Sequence, residues 1–410
     1  MTLDVGTPMV TVFSSYDDRA RPKGSRDPLG AEATWSYLGR RIVGNLTTVT
    51  ANLDNFIVAL LCCQFANQNQ SEQELIQERY LRAEQVAAYL KLAAGAREPG
   101  FLGITRASKN FERDRIVLGT AAEAQLLASQ AGYGLWGLYS SALEGAGLIS
   151  GANRRLTKAG EVLVQEIVAE FELPNWNKFC NIASAVNLDK DATKNLASVF
   201  ISVIGSSSLR QTVVEALIAT QRDCELQSEL FRLATSYLKK KSDWTISDFC
   251  NWILSHSEVT SELKTTMLRI SSIDPLLNLA DAVMSWLLGK NGEQMDAVAQ
   301  TLKSHVQELQ FGDDWQKELE LPHRTFLKAF QAAASVGDAT AMIRLLMVQN
   351  KTLMNARGGA AWIDWDGKNL AVRVKNDKPQ DISKLSAQTS NWRYTYFIRA
   401  FLDIAQQGMA

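Results

Sequence analysis

The chain has 410 residues, 46% hydrophobic and 21% charged, and its 43 Lys+Arg against 44 Asp+Glu leave a net charge of -1. That balance excludes a collagen-like chain, a disulfide scaffold, a histone-like basic binder and a polar disordered chain. Eight prolines in 410 residues, about 2% where about 5% is usual, favour long helices over turn-rich β architecture and predict a mainly α, multi-helical fold.

Residues 1–30 hold Pro8, Pro22 and Pro28 with Gly6, Gly24 and Gly30, and read as an N-terminal arm. A helical region follows over 31–99. Within it, Thr47 to Phe65 places Leu53, Phe56, Ile57, Leu60 and Leu61 at helical spacing. A second helix is predicted from Ser71 to Ala94, where Ser71 and Glu74 form a capping box and Gly95 supplies the stop. Residues 96–118 change texture, with Gly100 and Gly103 among Arg97, Arg106, Lys109, Arg113 and Arg115, and read as a loop-rich connection, while 100–168 as a whole is treated as a separate module. From Glu161 to Gln349 helix follows helix, with breaks predicted near Leu173-Pro174, Asp189–Asp191, Gly205–Ser208, Asp274-Pro275, Gly289–Gly292 and Gly337. No fixed repeat length recurs, which leaves an irregular α-solenoid open for the helical domain at 169–355. Over 356–410, Ala361–Lys375 alternates about Asp366-Gly367 as a β-hairpin, and a last amphipathic helix is predicted from Thr389 to Gln406.

The five cysteines (Cys62, Cys63, Cys180, Cys224, Cys250) contain no C-x-x-C, and their odd number fits a reducing compartment. His256, His305 and His323 show no ligand spacing, so no metal and no cofactor is expected. The most apolar early run, Phe56 to Cys63, is far shorter than the ~20 residues a membrane span needs. The expected location is the cytoplasm.

The stretch from Gly119 to Gln165 carries the most content. One helix is predicted with Ala121, Ala124, Leu126 and Leu127 on it, ending at Ala131-Gly132. A second is predicted from Gly134 to Ile149 with Leu135, Leu138, Tyr139 and Leu143. A tight turn follows at Ser150-Gly151-Ala152-Asn153, and then a third helix capped by Thr157. The phrase Leu143, Gly147-Leu148-Ile149, Arg155-Leu156-Thr157, Gly160 resembles the end of a winged helix-turn-helix domain, over residues 119–168 only. That resemblance implies a helix in the major groove of double-stranded DNA and a basic wing on phosphates. The candidate contacts are Arg106, Lys109, Arg113, Arg115, Arg154, Arg155 and Lys158, which give residues 101–160 a local surplus of three positive charges. The helix that would enter the groove departs from the pattern. Gly134–Gly147 has no Lys or Arg, so bidentate base reading is absent from it.

Other patterns reduce to structure. Gly132-x-Gly134-x-x-Gly137 matches the dinucleotide fingerprint in letters, but a predicted helix precedes it where a strand is required. Asp364, Asp366 and Lys375 invite comparison with metal-dependent nucleases, yet Arg373-Val374-Lys375 lacks the second acid, and Asp366 belongs to its turn with Gly367. The aromatic and basic run Trp392–Arg399 reads as core with amphipathic rims, Lys239-Lys240-Lys241 as a solvated helix end, and Glu78 with Arg82 as an i,i+4 pair.

The resulting expectation is a non-catalytic adaptor or scaffold subunit engaging protein partners, and double-stranded DNA backbone through the module at 100–168. In texture the chain resembles accessory proteins of bacterial DNA-processing or anti-phage defence clusters. Two alternatives stand beside it: a metal-dependent nuclease or other hidden enzyme using the C-terminal hairpin acids, and a purely protein-binding helical platform. No catalytic residue and no small-molecule substrate is assigned.

Overall fold

The computed structural model describes residues 27–68, 72–96, 100–219, 224–241, 243–306, 309–374, 376, 378–385 and 392–409. Expectations for most of the N-terminal arm, for the Ser71 cap and for Lys375 fall outside them. In chain order the principal helices are α1 (Ala31–Arg40), α2 (Leu53–Asn67), α3 (Gln73–Ala93) and α4 (Ile104–Phe111). Three short helical turns follow, α5 (Gln130–Tyr133), α6 (Leu135–Leu138) and α7 (Ser140–Gly145). A two-residue strand pair, β1 (Ile149–Ser150) and β2 (Arg155–Leu156), leads into α8 (Lys158–Phe171), α9 (Leu173–Ser184), α10 (Lys190–Ile204), α11 (Ser207–Val214), α12 (Glu225–Leu238) and α13 (Ile246–Ser255). Then come α14 (Ser261–Leu287), α15 (Met295–Val306), α16 (Arg324–Ser335), α17 (Ala339–Ala356), the strands β3 (Ile363–Trp365) and β4 (Leu370–Val372), and α18 (Ile398–Gln407). The fold is mainly α with small antiparallel strand pairs.

The chain divides into two compact units, one comprising Ser36–Leu268 with Tyr394–Ala410, the other Met1–Trp35 with Arg269–Arg393. The boundary anticipated at 168/169 lies inside the first of these.

The first unit is organised around α2, whose side chains from Phe56 to Cys63 are all buried. A helix apolar on every face must be wrapped, and α3, α8, α11 and β2 supply the wrapping. Polar side chains near its start find partners. Asn55 donates from Nδ2 to the Gly100 carbonyl at 3.0 Å and the Tyr139 hydroxyl at 2.8 Å. Asp54 accepts from Lys91 and Arg210, each at 2.6 Å. The helix stops anticipated from sequence recur here, including Asp189 capping α10, Pro174 in the first turn of α9 and Gly95 at φ 82° after α3.

In the second unit, Trp315 is fully buried, with its Nε1 donating to Gln331 at 3.0 Å. Asp27 caps α1 through the backbone N–H of Ala31 at 2.8 Å. The Gln349 and Asn350 side chains of α17 each donate at 3.0 Å to the carbonyls of Leu29 and Pro28. The anticipated hairpin is present in the register Ile363↔Val372, Trp365↔Leu370. Asp366 serves its turn by accepting from the N–H groups of Lys368 and Asn369 at 2.9 and 2.7 Å.

Five predicted elements differ. The loop-rich connection expected over 96–118 contains the helix α4, which packs on α3 and buries Ala107 and Asn110. The break expected at Asp274-Pro275 does not occur, because α14 runs through Pro275. The missing N–H costs one hydrogen bond, while Ile273, Leu276, Leu277 and Leu279 are fully or almost fully buried around it and hold the helix together. The helix expected over Ala121–Ala131 is a series of turns and bends between 119 and 129. The helix expected from Gly134 to Ile149 is interrupted at Gly134 and Tyr139. The last helix begins at Ile398, since Tyr396 and Phe397 both take positive φ (47° and 62°) with their rings buried.

Candidate anion-binding surface

The irregular course of 119–135 has an identifiable cause. Two consecutive residues of α3, Glu84 and Gln85, are fully buried and hydrogen-bond the backbone of this segment in place of a helix ladder. Gln85 donates to the Gly119 carbonyl at 2.8 Å and accepts from the Gly119 N–H at 2.9 Å. Gln130, also fully buried, donates to Glu84 at 2.9 Å while its oxygen accepts from Gln85 and from the Leu126 N–H. Glu84 accepts a second bond from the Leu135 N–H at 2.8 Å. Gly134 is required at that point. A Cβ there would stand 2.5 Å from the Gln130 carbonyl and 2.6 Å from the Glu84 carboxylate. Burial without a cationic partner pushes Glu84 up to about 7, against the opposing pull of the Gln130 and Leu135 donors.

This pinned segment forms one wall of an open groove. Leu126 and Leu127 lie on it; α4 faces them with Arg106, Lys109 and Asn110, and Arg113 follows from the turn after the helix; the groove's volume is about 530 Å³. Arg106 and Lys109 stand at i, i+3 spacing on one side of α4, and Arg113 follows just after the helix ends at Phe111. Gly103, left-handed at φ 76°, lets the start of α4 approach Leu126, whose Cβ would lie 2.6 Å from any Cβ at 103. Arg106 is fixed across the groove by its Nη2 bond to the Ala122 carbonyl at 2.7 Å, while Lys109 and Arg113 extend into solvent. Burial raises the pKa of the Tyr89 hydroxyl, and the charges of Arg113 and Arg106 act against that rise. No acidic residue lines the groove among the described residues.

The other candidate cations divide between two places. Arg115 is exposed, with Nε donating to Asn187 at 2.8 Å beside the Val117–Asn187 bridge. Arg154 and Arg155 belong to the β1–β2 hairpin, whose register is Ile149↔Leu156 and Ser150↔Arg155, and Lys158 opens α8 directly after it. The turn is as anticipated, and Thr157 caps α8 by accepting from the Gly160 N–H. Arg154 is half-buried at φ 51°. Its guanidinium lies 4.9 Å from the centre of the Trp136 ring and its Nη1 donates to the carbonyls of Gly151 and Ala152. Its side chain braces the loop. Arg155 and Lys158 are exposed, and Arg155 borders a polar hollow of about 350 Å³ with Asn67, Gln68 and Glu161. Neither makes an ion pair among the described residues.

The stretch Gly134–Gly147, which the resemblance would send into a major groove, has Leu135, Trp136, Tyr139, Ala142 and Leu143 buried. Elsewhere, Asp364 pairs with Arg373 at 3.4 Å. Among the described residues no group of three or more His, Cys, Asp or Glu side chains could hold a metal, and no helix is long and apolar enough to cross a membrane. Burial pushes the Cys63 thiol up to about 12, although the Arg154 charge opposes the rise.

Glu84, Asn110, Leu126 and Leu127 were not anticipated as part of any site. The available signal was the run Ala83-Glu84-Gln85-Val86-Ala87-Ala88, in which two polar residues sit among small apolar ones with no exposed face of their own. No family model, no curated protein and no solved structure matches the chain.

Proposed function

We propose that the chain is a non-catalytic adaptor subunit that works alongside protein partners and contacts the nucleic-acid backbone through the cationic surface of residues 100–168. The observation that carries this reading is that Lys109, Arg113, Arg155 and Lys158 all reach solvent with no ion-pair partner among the described residues. Four left open within about 50 residues of sequence suit an external polyanion. The buried face of Gly134–Gly147 removes the surface that would read base edges, so the contact is to phosphates and is independent of sequence. The hairpin resembling a wing supplies Arg155, and the start of α8 just after it supplies Lys158, with Arg154 stiffening the hairpin turn.

The reading is tested by charge reversal. A Lys109→Glu/Arg113→Glu/Arg155→Glu/Lys158→Glu variant is compared with wild type for binding to duplexes of several unrelated sequences at low salt. The expected result is a loss of at least about 100-fold, equal for every sequence. Unchanged affinity, or a loss confined to one sequence, contradicts the reading. The defence-cluster context stays part of this proposal and is tested by recovering protein partners with the wild-type chain and with the variant.

A further inference from the structure

We infer that the groove between α4 and the Leu126–Leu127 wall is a binding site for a nucleoside phosphate, with the phosphate on Lys109 and Arg113 and the base against the leucines. This rests on the backbone-contact reading and deepens it, because it gives one part of the surface a specific occupant.

The argument starts from shape. Duplex phosphates need only the cations at the groove's rim, and the apolar wall within it has no part in backbone contact. The volume of about 530 Å³ lies inside the roughly 300–1,000 Å³ range of small-molecule sites. The two walls differ in chemistry: Leu126 and Leu127 on one side, Arg106, Lys109 and Arg113 on the other, and no acid between them among the described residues. An inorganic anion satisfies the cations but leaves the half-buried Leu127 uncovered, Leu126 being buried behind it. An apolar ligand does the reverse. A flat heterocycle joined to a phosphate meets both walls at once, and Arg106, held in place by Ala122, offers a guanidinium plane on which such a ring stacks. The buried Asn110 adds an amide to the floor.

The site is also preorganised. Leu126 is fixed through its own N–H to Gln130, which is fixed in turn to Glu84 and Gln85. Gly103 sets the separation of the walls. A groove lined by a mobile loop closes when empty; this one is held open by buried hydrogen bonds, so little ordering cost remains for the ligand.

The test uses the full chain and calorimetric titration with a deoxynucleoside 5′-monophosphate, with the matching nucleoside and inorganic phosphate as separate probes. The expected result is saturable binding of the monophosphate, with both fragments at least tenfold weaker. Lys109→Ala/Arg113→Ala weakens the monophosphate at least tenfold, and Leu127→Asp weakens it similarly. Should Leu127→Asp fail to fold, the milder Leu127→Ala decides the same point. Arg155→Ala/Lys158→Ala leaves monophosphate binding unchanged while weakening duplex binding, which separates the two proposals. Inorganic phosphate binding as tightly as the monophosphate overturns the inference, as does an absence of any monophosphate binding, even where duplex binding persists. Competition by a single-stranded oligonucleotide identifies an unpaired nucleotide of a strand as the source. Monophosphate binding without such competition identifies a free nucleotide, and either result upholds the site.

Discussion

Glu84 carries a charge state set by burial, and its consequence for stability has a definite sign. The unfolded chain releases this proton near the ordinary 4.5 and the folded chain near 7. Stability is therefore full below about pH 4.5, falls as pH rises between those values, and is level above 7. The span corresponds to about 3 kcal/mol. Glu84→Gln removes this slope, which urea unfolding of both proteins from pH 5 to 8 measures directly; parallel profiles would contradict the assignment. Asp54 behaves in the opposite way. Burial works against its charge, but Lys91 and Arg210 outweigh burial and hold it below the usual carboxylate range. Its contribution is present above the unfolded value and lost as pH falls through the folded one. Asp54→Asn leaves two largely buried cations unpaired and should cost about 3 kcal/mol at pH 7, with the difference from wild type shrinking as the pH approaches 3. At Gly134, alanine would drive a methyl group into the Glu84 carboxylate and cost about 2 kcal/mol, read as a lowered melting temperature. Arg154→Ala should cost about 1 kcal/mol through loss of the Trp136 contact, without altering the salt dependence of duplex binding.

At the scale of elements, helices whose ends carry local signals were legible and those reshaped by distant side chains were not. Gly95, Thr157, Pro174, Asp189 and Gly337 each mark a boundary by their own chemistry, and the structure places helix ends beside them. The β3–β4 hairpin was legible for the same reason, since Asp366-Gly367 makes its turn locally. The segment 119–135 was not. Its alanine and leucine content favours a helix, but the competing hydrogen bonds come from Gln85 and Glu84, more than thirty residues away in sequence. Pro275 failed in the reverse direction, because burial of the surrounding leucines outweighs a local breaker. The candidate site shows the same division. Arg106, Lys109 and Arg113 were recognisable as cations, but the helix α4 that carries the first two was not anticipated. The leucine wall opposite them depends on the misread segment, so the groove could not be seen before the fold.

At the scale of the molecule, near-neutrality conceals an uneven distribution. The chain carries a net charge of -1, yet Lys109, Arg113, Arg155 and Lys158 stand open on one of its two compact units. Such a surface attracts a polyanion without making the whole protein basic, and its contribution is the part of binding most sensitive to salt. The measurement that tests this most directly is the slope of log affinity against log salt for one duplex, taken for wild type, Lys109→Ala/Arg113→Ala and Arg155→Ala/Lys158→Ala. A phosphate-contacting surface predicts a steep wild-type slope that falls by about two in each pair variant, close to 0.9 for each contact removed. A wild-type slope near zero, or the same slope in all three proteins, would contradict the assignment of these side chains to the nucleic-acid backbone.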